Sequence, residues 1–294
     1  MKTLSAVAVF LWLLAGSALP AGAQLLQLIP AAQGDPDIVA LAAGPERTSE
    51  LTRFKSTGEK IASKSLPFSA LALCADTTGI VVAPSDGGLA FLDARMLVKV
   101  RTQGLVYESL VCAGSHVYAS GRTLRVHRFD FPTLLNRQTV FEANSWVPRL
   151  LSPKAGLLAG ASWDGSVHLL NLADQAHRSI AGKISLLDLV AAPGDTWITL
   201  SDEGQLTALR DNGTQAQRIK LSGARRLAIS PQGVLAVLAG TDTVVLYRQT
   251  AGRWVEYRRV KPEGARDCSF LLPVGAGRWA VLSSSGLSFF SDNP

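Results

Sequence analysis

Leu227-Ala-Ile-Ser-Pro-Gln-Gly-Val-Leu-Ala-Val-Leu-Ala-Gly-Thr-Asp-Thr-Val-Val-Leu-Tyr247 reads as three short strands joined by two tight turns. The apolar runs are strand-length and rich in Val and Leu, too short for a buried helix. Ser-Pro-Gln-Gly pre-sets the first turn, because proline fixes φ and glycine accepts φ > 0. Gly-Thr-Asp makes the second, and Thr243 to Tyr247 supplies a third strand.

The same order recurs on both sides of this stretch. Leu150-Leu-Ser-Pro-Lys-Ala-Gly leads to Leu157-Leu-Ala-Gly, then Trp163-Asp-Gly-Ser, then Val167-His-Leu-Leu-Asn171. Leu71-Ala-Leu-Cys-Ala-Asp leads to Ile80-Val-Val-Ala, Ser85-Asp-Gly-Gly and Leu89-Ala-Phe-Leu-Asp93. Further copies run from Val190 to Leu209, Leu110 to His127 and Cys268 to Phe290, with a degenerate one from Leu25 to Phe54.

Phe54, Leu92, His127, Leu170, Leu209, Tyr247 and Phe290 mark the end of the third strand in successive copies, with a mean spacing of about 39 residues. That is at or just below the roughly 40–45-residue period of four-stranded propeller blades. Asn136–Ala143, Gln215–Leu221 and Trp254–Val260 lie between copies as fourth strands. The reading is therefore all-β: a β-propeller, seven blades of mostly four antiparallel strands, over residues 24–294. Degenerate copies leave six to eight as the range of blade number. Closure is open too. The chain ends four residues after Phe290, so Leu25–Ile29 either completes the last blade or starts the first, leaving a three-stranded final blade.

In period and turn order the repeats resemble WD40 repeats and related bacterial exported propeller proteins. The position of the family's Trp-Asp dipeptide holds Leu92-Asp93, Leu170-Asn171 or Phe290-Ser291, and its Gly-His dipeptide is missing. The resemblance implies a disc whose faces bind partners.

The N-terminus carries a separate signal. Met1-Lys2 precedes an apolar run from Leu4 to Leu19, Pro20 breaks it, and Ala21-Gly22-Ala23 is a small-x-small cleavage site. This is the pattern of a cleaved signal peptide, residues 1–23, rather than a membrane anchor. The short n-region and alanine-rich composition point to a bacterial, periplasmic protein.

The 294 residues are 47% hydrophobic and 18% charged, which excludes a disordered or coiled-coil chain. The net charge of +6 favours acidic partners. No run of five or six like charges exists, and Arg225-Arg226 and Arg258-Arg259 lack interleaved aromatics, so nucleic acid is not expected. Cys74, Cys112 and Cys268 are too few for a disulfide scaffold. They read as buried small hydrophobes, with at most one disulfide among them.

The four histidines show no metal-ligand spacing, and His127 reads as a packed, hydrogen-bonded side chain on a third strand. Gly275-Ala-Gly-Arg-Trp-Ala280 fits G-x-G-x-x-A but leads into a strand, so it reads as a turn. Asp211-Asn-Gly213 likewise reads as a turn. No catalytic residue, metal or cofactor is expected.

Residues entering the first strands should line one face near the central channel. They are Trp146, Arg149, Lys183, Arg225, Arg226 and Arg266, with Tyr107 and Glu108 on another blade, and Asp188 and Asp267 interrupting the positive charge. Arg and Trp favour interface hot spots. The expected function is a non-catalytic, monomeric periplasmic scaffold binding another protein, one with an acidic surface, within an envelope complex. The alternatives are a lactonase-like hydrolase, a quinoprotein-like dehydrogenase, or a binder of anionic glycan or lipid headgroups.

Overall fold

The structure is a computed structural model that describes residues 25–29, 37–275 and 277–292, so the expected signal peptide over residues 1–23 lies outside the described residues. The described chain forms seven antiparallel sheets whose strands pair in sequence order. Their inner strands are Leu25–Ile29, Ala70–Ala75, Ser109–Ala113, Arg149–Lys154, Leu186–Ala192, Ala224–Ile229 and Phe270–Gly275. Each inner strand contacts the next, and the first contacts the seventh, closing a ring about a central channel. This is a seven-bladed β-propeller.

Leu25–Ile29 pairs with Asp37–Ala43, so it begins blade 1, and blade 7 keeps three strands. The ring is therefore closed by side-chain packing rather than by a shared sheet. Ile38 and Ala40 of blade 1 meet Phe270, Ala280 and Leu282 of blade 7 there. Arg278 Nη2 donates to Thr57 O at 3.2 Å across the same seam. Gly58 is required beside it, since its φ is +96° and a Cβ would lie 2.5 Å from Phe289 Cε2.

The burial pattern explains the sequence pattern. Second strands such as Gly79–Pro84 and Leu235–Ala239 are buried at every residue, because blades pack against both of their faces. They therefore read as continuous apolar runs. Outer strands such as Lys60–Leu66 lie mostly in solvent and carry the charges. Apolar clusters fill all seven seams between neighbouring blades. The Ser-Pro-Gln-Gly turn forms as read. Gly233 has φ +78° and donates to Ser230 O at 2.9 Å, while Ser230 Oγ accepts from Val234 N.

Two readings are corrected by strand pairing and covalent structure. In blade 3, Val117 pairs with Phe129 as Ile80 pairs with Leu92 in blade 2. Phe129 is thus the equivalent third-strand position, and His127 lies one inward-facing step earlier, matching His168 of blade 4. A histidine there is buried between blades, so its apolar neighbours masked the register. The cysteines are not all simple buried hydrophobes either. Cys74 and Cys112, on the inner strands of blades 2 and 3, form a disulfide, and Cys268 is a buried free thiol.

Candidate functional site in the central channel

Every blade from 2 to 7 has a buried leucine at the same place on its inner strand: Leu73, Leu110, Leu150, Leu189, Leu227 and Leu271. The residue just before it forms a layer around the channel. In order the layer is Ala72, Ser109, Arg149, Asp188, Arg226 and Phe270. Two of its acceptors lock neighbouring blades together. Ser109 Oγ accepts from Leu150 N at 2.9 Å, and Asp188 Oδ2 accepts from Leu227 N at 2.8 Å.

Asp188 organises the charged part of this layer. Its side chain is 1% exposed, and its Oδ1 accepts from Leu189 N and lies 3.1 Å from Arg149 Nε. That contact is an ion pair whose N–H is misaligned for a hydrogen bond, so Arg149 Nε stays unsatisfied. The Arg149 guanidinium also sits 5.7 Å from the centre of the Phe270 ring, which belongs to the blade three places round the ring. Arg149 therefore spans the channel.

Arg226 is half-buried. Burial pushes its pKa below the ordinary arginine range, Asp188 opposes that, and Arg149 and Arg225 add to it. Its Nη1 makes a long bond to Arg225 O. Arg225 donates Nη2 to Cys268 O at 2.8 Å, and its buried Nε has no hydrogen-bond partner. Two guanidiniums, those of Arg149 and Arg226, thus share one buried carboxylate.

A cleft of about 240 Å³ opens beside Arg149, with Glu108, Ser109 and Phe270 also among its walls. Glu108 Oε1 is held by Arg122 Nε at 3.0 Å. Comparison with protein-family models and with curated proteins finds no match to this chain.

The other residues singled out in the sequence are placed differently. Trp146 is half-buried, its ring 5.5 Å from Trp163 with the Arg122 guanidinium 5.9 Å away. It is a packed rim residue. Lys183 and Arg266 are exposed on loops leading into blades 5 and 7, outside the channel layer. Tyr107 is buried, with its hydroxyl 3.4 Å from His127 Nδ1. Asp188, which the sequence reading treated as an interruption, is the centre of the cluster, and Phe270 was missed. Reading the residue before each inner-strand leucine as one column would have found both.

The opposite mouth is chemically different. Pro153, Pro193, Pro231 and Pro273 occupy corresponding ends of four inner strands and, with Trp197, line a bowl of about 670 Å³. Among the described residues no three His, Cys, Asp or Glu side chains group to hold a metal ion, and no helix is long and apolar enough to cross a membrane.

The histidines form a packed pair instead. Phe141 stacks on His177 and His168 at 4.7 and 5.2 Å, and His168 Nδ1 lies 3.1 Å from His177 Nε2. Burial lowers the pKa of His127, His168 and His177. The charges of Arg137 and Arg125 add to this at His127, and His177 adds to it at His168, where Asp164 opposes. A lowered folded pKa means that the unfolded chain binds protons first as pH falls. The histidine contribution to stability is therefore constant above about pH 6.5 and drops below it, by at most about 1.4 kcal/mol per pH unit for each of the two buried histidines, His127 and His168. Urea unfolding at pH 7.5, 6.0 and 5.0 checks this, and His168→Phe should flatten the slope. A profile flat to pH 5 would refute it.

Proposed function

We propose that the chain is an exported, non-catalytic propeller of the WD40-like kind, acting as a monomeric interaction scaffold in the bacterial envelope. The observation that carries this reading is the cationic channel mouth. Arg149, Arg225 and Arg226 gather on the face where the inner strands begin, with Trp146, Lys183 and Arg266 on the loops of that same face. Such a surface attracts an acidic partner and orients it on approach. A rigid disc also presents loops at small ordering cost.

The disulfide between Cys74 and Cys112 supports an oxidising compartment, since such bonds persist outside the reducing cytosol. It agrees with the signal-peptide pattern and the periplasmic assignment.

The test is affinity purification of the tagged protein from gently solubilised envelopes, with amine crosslinking and mass spectrometry. The expected result is one stoichiometric protein crosslinked through Lys183, lost progressively as salt rises. Crosslinks through the outer strands, or a preparation without partner, would overturn the reading.

A further inference from the structure

Blade 7 is one strand short, and the shortage shows in its burial. In the other six blades, where a fourth strand covers the outer edge, the third strand has at least two buried residues. Gly286–Ser291, the third strand of blade 7, has none: five of its residues are half-buried and Ser291 is exposed. Among the described residues no strand pairs with its outer edge. The register shows what that edge offers. Along an antiparallel pair, residues alternate between those that bond the partner strand and those that face away from it. Asp292 N donates to Gly277 O, so the same alternation gives Phe290 and Ser288 to the neighbouring strand Arg278–Ser283. It turns the backbone N–H and C=O groups of Leu287, Phe289 and Ser291 outward. Ser291 O accepts from Arg258 Nη1 at 3.1 Å, as an outward carbonyl can. A row of such groups is a template for one more strand. Its two ends differ in charge. The Ser291 end lies beside Arg258, and the Arg278 guanidinium sits 4.5 Å from the centre of the Phe289 ring. The Gly286 end lies beside Glu263 and Gly264, whose backbone oxygens take the hydroxyls of Ser288 and Ser285.

We propose that the outer edge of Gly286–Ser291 binds an extended acidic peptide segment of another protein, as the missing fourth strand of blade 7. In strand addition of this kind the main-chain hydrogen bonds supply the affinity. Polarity follows from the fold, because fourth strands run antiparallel to third strands in the other six blades. The N-terminal half of the segment therefore lies beside Arg258 and Arg278, and it carries the acidic residues. A second copy of this chain is a poorer occupant, since each copy has a net charge of +6 and repels the other. The edge is on the rim of the disc, so it is a second surface, separate from the channel mouth.

The probe is a blocked octapeptide, Asp-Glu-Thr-Val-Thr-Val-Thr-Val, matched in length to the fourth strand Arg253–Val260. Titrated calorimetrically into the purified protein, it should bind one to one with a dissociation constant below about 1 mM. Moving its acidic pair to the C-terminal end should weaken it, and N-methylating alternate amides should abolish binding. Amide exchange followed by NMR locates the site. Leu287 and Phe289 N–H should exchange freely in the unbound protein and become protected by the peptide, while Ser288 and Phe290 stay protected throughout. Arg258→Glu should weaken the acidic peptide roughly tenfold, the size of one lost charge-assisted hydrogen bond. The same variant should gain affinity for a peptide beginning Lys-Arg, which misfolding cannot mimic. Lys183→Gln, at the channel mouth, should leave peptide binding unchanged, so this proposal and the scaffold reading can fail separately. The proposal is overturned if the octapeptide does not bind by about 1 mM, if binding leaves Leu287 and Phe289 unprotected, or if Arg258→Glu does not reverse the charge preference. It is also overturned if those two amides are already protected in the unbound protein, as a second copy or the chain's own residues on the edge would make them.

Discussion

Replacing Asp188 by alanine should lower folding stability by about 3–5 kcal/mol, the range for removing one partner of a buried ion pair. Three losses combine. Leu189 N and Leu227 N lose their acceptor, and the second of these joins blade 5 to blade 6. Arg149 loses its counter-charge, and Arg226 loses the one influence that favours its charged form. The arginines cannot shed the problem by deprotonating, since guanidinium stays protonated in proteins. Arg149 is 30% exposed, so channel water recovers part of the cost and holds the total near the lower bound. Urea denaturation at pH 7.5 measures it. The double variant Asp188→Ala with Arg149→Met should be less destabilised than the two single losses added together, because removing the cation removes its unpaired charge. A cost for Asp188→Ala under about 1 kcal/mol would show that the layer is solvated and the ion pair idle.

The second large effect is on the disulfide. Cys74 and Cys112 are 38 residues apart in sequence, and the loop-closure relation gives about 4 kcal/mol for a crosslink of that length. The double variant Cys74→Ser, Cys112→Ser should therefore melt roughly 10 °C lower, at 2–4 °C per kcal/mol for a chain of this size. Reducing agent should produce the same drop in the unmodified protein and none in the variant. Thiol titration of the unfolded, unreduced protein should find one reactive group, from Cys268. Three thiols without reduction would show that the bond does not form.

Much of the architecture was legible because a propeller blade is a local object. All strand pairing runs between consecutive strands, so the order strand, Ser-Pro-x-Gly, strand, Gly-Asp, strand is written out in about 40 residues. Burial of second strands on both faces produced the apolar runs that made Leu235–Ala239 easy to read. His127 slipped by two residues for the same reason in reverse: a polar side chain on a buried inter-blade face looks like the end of an apolar run.

The site was only partly legible. Arg149 and Arg226 were visible as charges entering first strands, and Trp146, Lys183 and Arg266 belonged to the same pattern. Yet Arg149, Asp188, Arg226 and Phe270 come from four blades, each about 40 residues from the next. No local motif links them, and spacing by itself cannot say that Arg149 reaches Phe270 across the channel.

The sequence by itself determined the repeat, the strand class, the turns and the positive balance of the molecule, since each depends on neighbours within one blade. Tertiary structure decided how the ring closes, which cysteines join, and which charges share a buried carboxylate. Those depend on curvature accumulated over seven packed sheets, which brings residues far apart in the chain together around one narrow channel.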